Sequence, residues 1–139
     1  MKIVAIVARI LLGAIFIFFG SNLLFHFLPM GPTPPGAMGQ YMTALFTSHY
    51  IVAVGFFQVL GGLLLIANRY VPLGLAVLAP IIVNILLVHF LMAPSGIPLA
   101  CVVALLWALV YWRHRSAFRG IYSAKMEEDT AAKDTVTHA

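Results

Sequence analysis

No Asp or Glu precedes Glu127, and the carboxylate-free part of the chain falls into apolar stretches of roughly membrane-crossing length. A transmembrane helix needs about 20 mainly apolar residues, each rising about 1.5 Å. Four stretches fit this reading, at about residues 3–28, 50–67, 71–92 and 98–112. The first ends at Pro29, Gly31, Pro32, Pro34 and Pro35, and the third opens after Asn68-Arg69-Tyr70 with Pro72 in its first turn. Pro94-Ser95-Gly96 separates the third from the fourth. A closed β-barrel would need strands of about ten residues with alternating polarity, and no such pattern occurs. Charged residues make up 9% of the 139 residues, against about a quarter in soluble domains. The expected fold is therefore all-α: a transmembrane four-helix bundle over residues 1–120, followed by a polar, disordered cytoplasmic tail over 121–139.

The basic residues set the orientation. Lys2 and Arg9 flank the N-terminus, Arg69 lies between spans two and three, and Arg113, Arg115 and Arg119 follow span four. The intervening loops at 29–49 and 93–97 carry no Lys or Arg, so the positive-inside rule puts both termini in the cytoplasm. Arg9 is expected to snorkel to the cytoplasmic headgroups, and Trp107, Tyr111, Trp112 and Tyr122 to form an aromatic belt on the same side. This scattered placement at the ends of apolar runs excludes a nucleic-acid surface, despite a pI near 9.6. The stretch after Lys2 is too long for a signal-peptide core and lacks an A-x-A cleavage site, so it reads as a retained span. Cys101 has no partner for an internal disulfide and reads as a small buried thiol in an apolar run.

Within the first outer loop, Met38, Tyr41, Met42, Leu45 and Phe46 recur at helical spacing. They predict a short amphipathic helix at about 37–48, read first as an interfacial anchor and second as a lid over the bundle.

Several short motifs now line up. The first span bears Arg9 and Gly13, and a Pro-rich loop with a short helix follows. Span two contains Gln58-Val59-Leu60-Gly61-Gly62-Leu63-Leu64-Leu65, Asn68-Arg69 comes next, and span three closes in His89. This order resembles the DoxX-like family of small four-helix membrane proteins, found mainly in bacteria, and the resemblance covers roughly residues 1–120. It implies residence in the bacterial cytoplasmic (inner) membrane and an association with redox complexes, since the family name derives from a thiosulfate:quinone oxidoreductase membrane subunit. Family members often carry Glu where this chain has Gln58, so the carboxylate of a proton-transfer role is absent at that position.

Polar side chains inside the spans are either interhelical glue or a site. The candidate ligand-binding residues are Asn22 and His26 on span one, Gln58 on span two, and Asn84 and His89 on span three. By helical rise all five fall in the outer half or at its rim. Gln58 shares a stripe with Gly55, Gly61 and Gly62, and its plain reading is an interhelical hydrogen bond. Asn84 follows Pro80, whose missing N–H strands the Ala76 carbonyl and favours a kink. Arg9, Gly13, Asn22 and His26-Phe27-Leu28 also echo Arg69, Gly74, Asn84 and His89-Phe90-Leu91. The echo raises a parallel-repeat hypothesis in which the two halves of the chain are equivalent. Asn84 and His89 lie about 140° apart on a straight helix, so sharing a pocket would call for the kink or a π-bulge.

A greasy, carboxylate-free pocket of amides and imidazoles suits a quinone, with His26 or His89 donating to its carbonyl and a partner protein supplying electrons. Paired axial ligation of a haem b by His26 and His89 is an alternative on the same residues. The other class is a non-enzymatic accessory subunit, assembly factor or carrier in the bilayer, because no complete catalytic set is visible and no catalytic residue is assigned. A metal site is not expected: zinc would need most of His26, His49, His89 and Cys101. Gly13, Gly20, Gly61 and Gly62 permit close packing either within the bundle or in a homo-oligomer.

Overall fold

The computed structural model describes residues 1–124, which form five α-helices and contain no strand. These are α1 (Lys2–Phe25), α2 (Ala37–Thr47), α3 (Tyr50–Ile66), α4 (Val71–Leu91) and α5 (Ile97–His114). Short 3-10 helices occupy Pro94–Gly96 and Arg115–Tyr122. Three segments are long and apolar enough to cross a membrane: Lys2–Phe25, Val71–Leu91 and Pro94–Tyr122. A fourth arises if α2 and α3, bent 84° from each other, count as one broken span. Their outer surfaces match this, with Ile3, Phe56, Leu63, Leu73, Val83 and Leu105 all exposed. Soluble monomers rarely expose so many large apolar side chains together.

Helix ends follow from local chemistry. α1 stops at Phe25, short of the expected Leu28, because His26 turns into the left-handed region at φ 50° and donates its N–H to the Asn22 carbonyl. The Asn22 side chain then accepts the Leu28 N–H at 2.8 Å, which satisfies a donor the chain would otherwise leave free beyond the helix. The prolines of the following loop supply no N–H with which to continue α1. α4 and α5 start with Pro72 and Pro98 near their N-termini, where a missing N–H costs nothing. The fourth span ends later than expected, and Ile121 and Tyr122 belong to a 3-10 helix rather than a tail. The remainder of the expected tail, 125–139, lies outside the described residues.

α1, α3, α4 and α5 stand in a ring in that order, with α5 returning to α1. The tightest seam is α1 against α3. A Cβ on Gly62 would sit 2.7 Å from the Gly13 carbonyl oxygen, and one on Gly20 would sit 2.9 Å from that of Gly55. These glycines serve backbone approach within the chain. Gly61 admits Leu78 of α4 in the same way.

The core is concentrated towards the end where the chain begins, where Leu12, Leu65, Leu75 and Val110 are fully buried with Ala8 and Phe118. Arg9 lies in this end and departs from expectation. It is only 9% exposed. Instead of snorkelling outward, its Nη1 donates to the carbonyls of Leu65 and Ile66. Those oxygens form the negative C-terminus of α3, so an inward guanidinium finds acceptors close by. Trp107 also turns inward, donating Nε1–H to the Leu75 carbonyl at 3.0 Å and stacking on Tyr111. Trp112 and Tyr122 keep the exposed positions of a belt. Cys101 is exposed, not buried, because α5 turns Ala100, Val103 and Val110 inward.

The repeat reading survives only as helix order. Arg9 is a buried residue of α1, whereas Arg69 is exposed and precedes α4; His26 ends a helix, whereas His89 lies within one. No glycines on α5 reproduce the α1–α3 seam.

Candidate functional site

The other end of the ring is hollow. A cavity of about 450 Å³ opens there, walled by α1, α3, α4 and α5 and roofed by α2. Most of the wall is apolar, with Phe16, Phe19, Ile51, Val54, Ile85 and Val103 among its residues. Four of the five polar residues singled out from the sequence line it: Asn22, Gln58, Asn84 and His89. The volume falls in the range of small-molecule sites, about 300–1,000 Å³.

Gln58 is the central feature. It is 6% exposed, and its Oε1 is fully buried with no hydrogen-bond partner. The interhelical bond expected of it is absent because the α1 face opposite is Gly20, which brings backbone but no polar side chain to the seam. Turning the amide end for end would bury an unpaired N–H in its place, so the deficit belongs to the position. Native interiors leave few such groups unpaired.

Asn84 donates Nδ2–H to the Tyr41 hydroxyl at 3.0 Å. This bond ties the roof helix to α4. It uses a lone pair of the Tyr41 oxygen and leaves the phenolic O–H free to donate. Tyr41 carried no site signal in the sequence beyond its place on the apolar stripe of α2, yet it is the one hydroxyl in the cavity wall. Met38, Met42 and Leu45 of the same stripe also face the cavity, while Gln40, Thr43, Thr47 and Ser48 are exposed. The apolar stripe of this helix therefore covers the cavity.

His89 sets its ring Nδ1 3.2 Å from the Ala93 carbonyl. A carbonyl only accepts, so Nδ1 is the donor in this contact and Nε2 is left without a protein partner. The ring packs against Gly96, where a Cβ would collide with it. Asn84 and His89 reach the same cavity without a π-bulge, because α4 is α-helical throughout and the cavity wraps its inner side.

His26 does not join them. It is exposed at the end of α1 with its ring 5.8 Å from that of Phe46, and it does not line the cavity. Paired ligation of a haem by His26 and His89 thus has no geometric support. No three His, Cys, Asp or Glu side chains gather among the described residues.

A second groove of about 670 Å³ runs under α2 on the outer side of α3 and α4, lined by Tyr50, Phe57, Val77 and Pro80. It shares Tyr41, Leu45, Val54, Ile81 and Asn84 with the main cavity. The Tyr41–Asn84 bond therefore lies in the partition between an inner chamber and an outward-opening groove.

Among curated proteins the chain is similar to YwoB, an uncharacterized protein of Bacillus subtilis (strain 168), with 30% identity over 96 residues. The match takes in 66% of this chain and 62% of that protein, so the chain spans less than two thirds of its relative's length. No family model matches the chain, and no solved structure matches it.

Proposed function

We propose that this chain is a DoxX-like, four-span membrane protein that holds a hydroxyl-bearing apolar ligand, quinol-like or lipid-like, in the chamber beneath α2. In this reading it serves as an accessory or binding subunit beside a redox partner protein. α3 is the remaining span: its 17 residues, rising about 1.5 Å each, come close to hydrocarbon thickness. The four spans then form a bundle in the bacterial cytoplasmic (inner) membrane. Lys2, Arg9, Arg69, Arg113, Arg115 and Arg119 mark its cytoplasmic end and the hollow end faces outward. The bacterial relative is consistent with that location.

The observation that carries the proposal is the Gln58 oxygen, buried and unpartnered at the wall of a cavity. It asks for a donor, and His89, with Nδ1 turned to the Ala93 carbonyl, leaves Nε2 as a second polar atom on the same wall. A quinol offers two hydroxyls, and its oxidised form can instead accept from the Tyr41 O–H and the Gln58 amide N–H. A quinone couple supplies two-electron, two-proton chemistry when bound. The residues here orient its head and exclude water from it.

The test is extraction in a mild detergent followed by mass spectrometry of co-purified lipids and quinones. Gln58→Met and His89→Phe should each reduce retention of the hydroxyl-bearing species, while His26→Ala should leave it unchanged. Equal retention in all three variants overturns the site. An N-terminal Lys2 found outside the cell would overturn the orientation.

A second reading, a carrier or assembly factor without redox chemistry, draws on the groove beneath α2. A chamber that shares Tyr41, Leu45, Val54, Ile81 and Asn84 with an outward-opening groove suits a ligand that enters and leaves sideways. Retention of a phospholipid or sterol-like alcohol in place of a quinone would favour it.

A further inference from the structure

At the end opposite the Gln58 chamber lies a second concavity of about 470 Å³, between the start of α1, the α3–α4 turn and the end of α5. Lys2, Arg9, Asn68, Arg113, His114 and Ser116 line it. No carboxylate lies among the described residues, since Asp and Glu begin only at Glu127. Three permanent cations therefore share one hollow with no opposing charge from residues 1–124.

The carbonyls at the end of α3 are already taken. The Leu63 carbonyl accepts from Ala67, that of Leu64 from Arg69, and that of Leu65 from Asn68 and Arg9. The Ile66 carbonyl accepts from Arg9 at 3.4 Å. His114 is held by its own Nδ1, 3.0 Å from the Val110 carbonyl. The charged side chains that line the hollow, Lys2, Arg9 and Arg113, are all donors. Arg9 is more than nine-tenths buried, yet only its Nη1 has protein partners, and its other guanidinium nitrogens have none. Carbonyl dipoles satisfy hydrogen bonds but do not cancel a net charge, and a buried cation without a counter-ion is costly.

We propose that this basal hollow binds a phosphate group, with Arg9 as its deep charge and Lys2 and Arg113 closing over it. A guanidinium fork matches phosphate oxygens in pairs, and an ammonium adds a point charge. The phosphate comes either from the headgroup of an anionic phospholipid or from a water-soluble phosphate. Ala5 and Ile6 form the apolar part of the same wall, and the exposed Ile3, Ile6 and Val7 of α1 continue from it. That surface gives acyl chains a place to lie beside a headgroup seated in the hollow.

The test uses the full chain in detergent, measuring binding of phosphatidylglycerol and of phosphatidylcholine with the same acyl chains by native mass spectrometry. Phosphatidylglycerol should bind at least roughly tenfold more tightly, and a Lys2→Gln/Arg113→Gln variant should lose most of that preference. An Arg115→Gln/Arg119→Gln variant removes the same charge outside the hollow and should keep it. Arg9 is left intact in both, because it also holds the end of α3. Inorganic phosphate added at millimolar concentration separates the sources. Displacement of phosphatidylglycerol assigns the hollow to soluble phosphate, and resistance to displacement assigns it to the lipid. Equal binding of the two lipids with no binding of inorganic phosphate, or equal losses in the two double variants, overturns the proposal.

Discussion

Replacing Gln58 with Met separates a binding residue from interhelical glue by the sign of the stability change. In the ligand-free protein the Gln58 oxygen is buried without a partner, a deficit worth about 1–3 kcal/mol. Met has a similar length, carries no strong acceptor and adapts to an irregular gap. Volume-conserving replacements cost less than about 1.5 kcal/mol in repacking. The two effects leave Gln58→Met more stable than the parent by on the order of 1 kcal/mol, roughly a fivefold change in the folding equilibrium. The measurement is reversible unfolding in mixed micelles after lipid stripping, followed through the fluorescence of Trp107 and Trp112. The same variant should lose ligand, so adding back the co-purified species should stabilise the parent and leave the variant unmoved. If the stripped variant is less stable than the stripped parent and responds equally to ligand, the amide is structural and the reasoning fails.

Three further outcomes follow from the packing. Gly62→Ala places a methyl 2.7 Å from the Gly13 carbonyl oxygen and 2.8 Å from Ile17 Cγ1. The α1–α3 seam should open at a cost of about 1–3 kcal/mol, read in the same unfolding assay. Tyr41→Phe removes the bond to Asn84, worth about 0.5–1.5 kcal/mol, and should accelerate amide exchange in α2 by roughly twofold to tenfold. Unchanged exchange would mean that the bond does not hold the roof. Gly96→Ala drives the His89 ring from its seat. Its Nδ1 proton should lose protection in nitrogen-edited NMR, and ligand retention should fall with it.

The long apolar helices were legible because hydrocarbon imposes one rule on every residue of a helix built to cross it. The α2 stripe was legible too, since Met38, Tyr41, Met42 and Leu45 share a helix face in any environment. What α2 covers was not, because amphipathicity gives a helix an apolar side without naming its partner. Asn22 and His26 show the same limit. Their spacing of four suggested a common face, but the helix ends at Phe25 and the left-handed turn at His26 carries that ring away. Arg9 was misread because sequence position gives depth but not direction. The acceptors that draw it inward belong to α3, 56 residues further along the chain. The missing partner of Gln58 had no sequence signal, since it depends on what the facing helix fails to provide.

Among the described residues, most fully buried side chains lie nearer the Arg9 end of the long helices, and the chamber beneath α2 lies at the other. Arg9 is bonded to carbonyls, whereas Asn22, Gln58, Asn84 and His89 all line the void. A bundle needed only for spanning gains nothing from a cavity and loses further by placing an unpaired amide beside it. The two costs coincide in space, and a single occupant can offset both. A bare acyl chain fills the volume but leaves the Gln58 oxygen as it was. A small polar solute can bond the oxygen but leaves the apolar wall, from Phe16 to Val103, without contact. The occupant that relieves both deficits joins a hydroxyl or N–H donor directly to a hydrophobic body, with the donor seated against α3 and the body beneath the roof helix.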